Sequence, residues 1–244
     1  MTMPEENTMQ TINRATRVRQ ALALYRQAFP RLLITIALIT GAIFVVQLAL
    51  AAYLSGRGEV FTGSAPIILA IFVFVTAILT MTQYLPLALG LGLTRHAFLL
   101  ASLVHASILG IVLTAACMLL ALVEHITDGW WLGFTFFDVA GELPVHPASA
   151  IAIVPLGLLA VACLGMLLGA IHTRWGGTGT WVAILGTLAA ASVLGSIESL
   201  ASLARSAASI LDSAPMEARL LGGYALAALV FAALTSVVIR RASI

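Results

Sequence analysis

Six long apolar runs, separated by short polar segments, make up most of this chain of 244 residues. They lie between Arg31 and Arg57, Glu59 and Arg95, His96 and Glu124, Glu142 and His172, Trp175 and Glu198, and Arg219 and Arg240. None contains Asp, Glu or Arg. Each is roughly 20 residues or longer, enough for a helix to cross a hydrocarbon core. The runs are continuously apolar rather than alternating, so they predict helices and not the strands of a transmembrane barrel. The expected fold class is all-α, a polytopic membrane protein with six transmembrane helices. The spans are placed at about Leu32 to Leu54, Pro66 to Leu89, Phe98 to Val123, Ala148 to Ile171, Thr180 to Gly195 and Leu220 to Ile239.

Two further stretches carry helical periodicity. Val18, Leu22, Tyr25 and Phe29 fall at i, i+4, i+7 and i+11 and form one apolar stripe, with Arg14, Arg17, Gln20 and Gln27 mostly off it. This predicts an N-terminal amphipathic helix lying in the inner headgroup layer. Pro30 is expected to break it and turn the chain into the bilayer. The alternative is a stretch that anchors the protein by charge alone. Residues 1–30 are thus read as a cytoplasmic tail and amphipathic helix, and 31–244 as the six-helix domain. Between Ile197 and Arg219, Leu200, Leu203, Ala207 and Leu211 follow helical spacing, and Pro215 ends the segment. An outer re-entrant helix between spans 5 and 6 is expected there, with Leu200, Leu203 and Arg205 as outer-gate candidates. The alternative is a helix lying flat on the outer surface.

Charge orients the array. The chain has 12 basic residues, all Arg. Arg14, Arg17, Arg19, Arg26, Arg31, Arg95, Arg174, Arg240 and Arg241 fall on one side of the runs, against Arg57, Arg205 and Arg219 on the other. Basic residues near helix ends set orientation, so both termini are expected in the cytoplasm. Hydrophobic residues at 61% and a mean hydropathy of +1.08 exclude a soluble domain. A net charge of +2 gives no reason to expect nucleic acid. No apolar segment precedes Arg14, so no cleaved signal peptide is expected. With no Lys there is no Walker-type phosphate loop, Lys Schiff base or Ser–Lys dyad. Cys117 and Cys163 both fall within apolar runs and are read as small buried hydrophobes rather than a disulfide.

Candidate chemistry lies at the polar positions inside the runs. Thr76, Thr80 and Gln83 fall at i, i+4 and i+7 of span 2 and share one face, a candidate pathway wall. Interhelical hydrogen bonding is the alternative use of that face. His105 in span 3 is read as a neutral side chain bonded to a neighbouring helix, with a proton relay as the alternative. Glu124, His125, Asp128, Asp138, Glu142 and His146 on the following outer loop match no metal-site spacing. Trp130, Trp131, Phe134, Phe136 and Phe137 read as an interfacial aromatic belt. Gly157, Gly165 and Gly169 form a small-residue strip on span 4 suited to close helix packing. The glycines after Arg174 lack a Lys and a preceding strand, and read as a tight basic turn.

Thr94 is a natural N-cap for a helix after the run Leu85-Pro86-Leu87-Ala88-Leu89-Gly90-Leu91-Gly92-Leu93-Thr94-Arg95-His96-Ala97-Phe98. That run resembles the Pro-x-x-x-Gly-x-Gly-x-Thr-Arg-x-x-Phe stretch of bacterial ABC permeases, and Arg174-Trp175-Gly176 with Gly179 is similar to a second stretch of the same subunits. With the six-span topology, the chain resembles the membrane subunit of an ABC-2 type exporter of the bacterial cytoplasmic membrane. The resemblance implies that Thr94, Arg95, His96 and Phe98 couple to an ATPase carried on another chain. That ATPase, and not this chain, would bind ATP and Mg. It also implies a second permease copy or a related permease completing the path, in contact with membrane lipid. The chain itself is then no enzyme: its spans hold no acid and no Gly-x-Ser-x-Gly. An ion-coupled secondary transporter and a non-transporting membrane scaffold are the alternatives.

Overall fold

A computed structural model describes residues 3–55, 63, 65–137, 146–196 and 215–240. All regular elements among them are helices: α1 Met3–Ser55, α2 Ala65–Leu79, a π-helical turn Thr80–Tyr84, α3 Leu85–Gly90, α4 Arg95–Ile126, a second short π turn Gly129–Gly133, α5 Pro147–Ser196 and α6 Met216–Arg240. Five segments are long and apolar enough to cross a membrane: Phe29–Leu54, Ala65–Gly90, Arg95–Ile126, Ala148–Gly186 and Met216–Arg240. Leu38, Val46, Ile71, Ile111 and Leu229 are all more than half exposed on the outer helix faces. Such surface is far too apolar for water and suits hydrocarbon.

The expected spans 4 and 5 both lie in α5, which is broken at Gly176 (φ 68°, ψ −167°). This backbone region is open essentially to glycine alone. His172 Nδ1 and Thr180 Oγ1 are 3.2 Å apart, whereas eight residues of straight helix would separate them by about 12 Å. The chain therefore bends sharply at the tight turn read from the sequence. The outer helix expected after span 5 lies, as far as residue 214, outside the described residues, and Leu200, Leu203 and Arg205 with it.

Pro30 does not end the first helix; α1 runs through it without a break. Proline removes one backbone donor, but an apolar helix at membrane depth keeps its remaining bonds because nothing else can satisfy them. The stripe that precedes Pro30 packs inside the protein. Tyr25 is buried, and Leu22 and Phe29 pack against the same core. Val18 lies outside the described side chains.

Packing follows the small residues. A Cβ on Gly165 would sit 2.6 Å from the Phe74 carbonyl oxygen, and one on Gly169 would sit 2.7 Å from Met81 Cβ. These two positions let α5 lie directly on α2 and its π turn. Gly157 instead faces the ring of Tyr224 on α6. The helices alternate in direction. As a result Arg26, Arg31, Arg95, Arg174 and Arg240 share the end that carries the Leu91–Thr94 turn, while Glu124, Asp128 and Glu217 lie at the other.

That other end is closed by a cap. Glu124 is 3% exposed. Its Oε2 accepts from Trp130 Nε1 at 2.9 Å and from the backbone N–H groups of Phe136 and Phe137 at 3.0 Å each. Asp128, Trp130 and Trp131 adopt left-handed backbone to make the turn. Phe134, Phe136 and Phe137 are buried around Phe44 of α1. The expected aromatic belt is thus mostly a plug, and only Trp131, 80% exposed, projects outward. Glu124 likewise belongs to the core rather than to a solvated loop.

Candidate functional site

At the opposite end a cleft of about 460 Å³ opens between α1, the α2–π segment and α4. Its walls are Tyr25, Phe29, Arg31, Leu32 and Thr35 from α1, Thr76, Leu79, Thr80, Gln83 and Tyr84 from the second span, and His105 from α4. Thr76, Thr80 and Gln83, the face predicted from their spacing, all reach it. The π turn explains how. Pro86 has no N–H for the Thr82 carbonyl, and its ring crowds that carbonyl, so the helix widens just before it. Thr80, Gln83 and Tyr84 all sit on the widened turn.

The hydrogen bonds separate wall from working groups. Thr80 Oγ1 donates to the Thr76 carbonyl at 2.9 Å, and Thr35 Oγ1 donates to the Arg31 carbonyl at 2.9 Å. Both hydroxyls are spent on their own helices. Ser102 Oγ donates to the Phe98 carbonyl at 2.9 Å, so its contact with Tyr25, 2.8 Å long, is donated by the tyrosine hydroxyl. His105 departs from expectation. Its ring stacks on Tyr25 at 4.4 Å and meets the edge of Phe29 at 5.5 Å. Among the described residues no hydrogen bond joins it to a neighbouring helix. The guanidinium of Arg31, the amide of Gln83 and the hydroxyl of Thr76 have no side-chain partner among the described residues, and they face the cleft.

The coupling candidates divide sharply. Thr94 caps α4, its Oγ1 accepting from Ala97 N at 3.3 Å. Arg95 Nη1 donates to the carbonyls of Ile239 at 3.0 Å and Arg240 at 3.2 Å, closing the C-terminus of α6. Phe98 is fully buried beside Tyr25. Of the four, Thr94 and His96 are exposed. The surface offered by the turn is therefore His96, Thr94, Gly92 and Leu91, the last 62% exposed. In the sequence Leu91 looks like the end of an apolar run; its position between Gly90 and Gly92 is the signal of an exposed turn.

Among the described residues no group of three His, Cys, Asp or Glu is placed to hold a metal ion. Compared with protein families, with curated proteins and with solved structures, the chain matches none of them.

Proposed function

We propose that this chain is the permease subunit of an ABC exporter of the ABC-2 type. It would span the bacterial cytoplasmic membrane six times, with the two arms of α5 as separate spans. Both termini and the turns around Leu91–Thr94 and Gly176 would face the cytoplasm, as the grouping of Arg at that end supports. One such unit walls half of a pathway, and a second copy or a related permease supplies the other half. ATP and Mg belong to a separate ATPase chain seated on the Leu91–Thr94 turn.

The observation that carries this reading is a connection. The exposed turn is joined to the cleft by α3, six residues long, and then by the π turn that holds Gln83 and Thr80. A push on Leu91 is delivered within two helical turns to the cleft wall. Leu91→Asp tests it. The variant should insert normally and weaken ATPase binding and stimulated ATP hydrolysis by about tenfold or more, as loss of an apolar anchor does. Full stimulation by the variant complex, or the absence of any Walker-type ATPase from complexes purified from native membranes, would overturn the reading.

A second reading rests on His105, which lies on the same cleft: an ion-coupled carrier using it as a proton relay. Solute-driven proton movement in vesicles containing this chain alone, without ATP, would favour the carrier.

A further inference from the structure

We infer that the cleft is a binding site for an anionic amphiphile with a phosphate headgroup, which enters sideways between α1 and the second span. The first ground is charge. Arg31 is the only Arg, Asp or Glu among the described lining residues. The sequence has no Asp or Glu from Asn7 to Gly58 or from Val60 to Val123, which covers all three helices of the wall up to the cap. The nearest acid before Arg31 is Glu6, 25 residues away on the unbroken α1, about 38 Å along its axis. Among the described residues no acidic side chain lines the cleft beside Arg31, which stands exposed at its mouth and can take an anionic ligand.

The second ground is the donor set. A planar guanidinium suits a phosphate bidentately. The Gln83 amide and the Thr76 hydroxyl, both uncommitted, add neutral donors. The third is shape. The cleft is within the size range of small-ligand sites. Phe29, Leu32 and Leu79 lie on the same walls, and outside the rim Ile34, Leu38 and Val75 are exposed toward the bilayer. A head held at Arg31 can leave its chains over these residues without crossing water. Basic pockets between helices on the cytoplasmic side of a membrane hold lipid headgroups in this way. That such a molecule is cargo rests on the permease reading above; its binding does not, and is measured without any ATPase.

The test uses the delipidated full chain in a neutral detergent, with bound lipid counted by native mass spectrometry. Phosphatidylglycerol and phosphatidylcholine of matched chains are the probes, with inorganic phosphate as competitor. Phosphatidylglycerol should be retained about tenfold better, and Arg31→Gln should remove that preference, the size of one charge-assisted contact. Arg26→Gln, a change to an exposed Arg outside the cleft, should keep it. Gln83→Trp, which fills the mouth and leaves Arg31 in place, should also abolish retention. This second variant decides the matter if Arg31→Gln does not fold. Equal losses from Arg26→Gln and Arg31→Gln would show only general surface charge and overturn the proposal. So would displacement of the lipid by equimolar inorganic phosphate, which would make the ligand a soluble anion. No preference for phosphatidylglycerol in the unmodified chain, with ATPase coupling intact, would overturn the ligand alone; preference without coupling would overturn the permease.

Discussion

The two ends of α4 handle the same problem in opposite ways. At its C-terminal end a buried carboxylate, Glu124, gathers three donors and pins an aromatic plug over the bundle. At its N-terminal end Arg95 reaches outward to two carbonyls at the end of α6, and further along the same half of α4, at His105, the bundle stays open as the cleft. One end is filled with Phe rings; the other is lined with hydroxyls, an amide and a cation. The difference teaches where movement is possible. A plug of interlocked rings resists change at every contact, whereas a cleft bounded by a widened helix turn can alter its width at the expense of few contacts.

Removing each latch in turn would break the comparison. Glu124→Ala should have the largest effect, a loss of about 3 kcal/mol, because two backbone donors and the Trp130 indole are left buried and unpaired. A lower melting temperature in detergent and a red-shifted tryptophan emission would report it. Unchanged emission would mean that the plug holds without its carboxylate. Arg95→Gln should cost less, about 1–2 kcal/mol, since the bonds it gives up are at a half-exposed helix end. Faster hydrogen exchange confined to the last turn of α6 would localise the change, and uniform loosening would contradict it. Tyr25→Phe should be the mildest, about 0.5–1 kcal/mol, because Ser102 keeps its bond to the Phe98 carbonyl. Its melting temperature should fall slightly while the stacking on His105 survives. A loss as large as that of Glu124→Ala would show that both ends are equally cooperative.

Much of this was legible in the sequence. Apolar runs locate the helices because hydrocarbon allows no other way to satisfy a backbone. Spacing alone places Thr76, Thr80 and Gln83 on one face, and all three line the cleft, since helical periodicity survives a single widened turn well enough to keep them on one side. Thr94 was legible as a cap because capping is local. Arg95 was not, because its partners are more than a hundred residues away and no local pattern predicts them. Phe98 looked like part of a docking stretch and is core. Glu124 looked like a loop acid; the close run of Trp130, Phe134, Phe136 and Phe137 after it was the sign that a plug would need an anchor. Pro30 would break a helix in water, but at membrane depth no solvent can take up the freed backbone groups and α1 continues through it.

The π turn at Thr80–Tyr84 has a mechanical consequence. It holds one residue more than an α-helix of the same span would, so the second membrane segment carries a unit of slack. If that surplus residue is passed along or released, everything beyond it screws by about 100° and shifts by about 1.5 Å. Leu91 would then sweep around the axis while Thr76 stayed still.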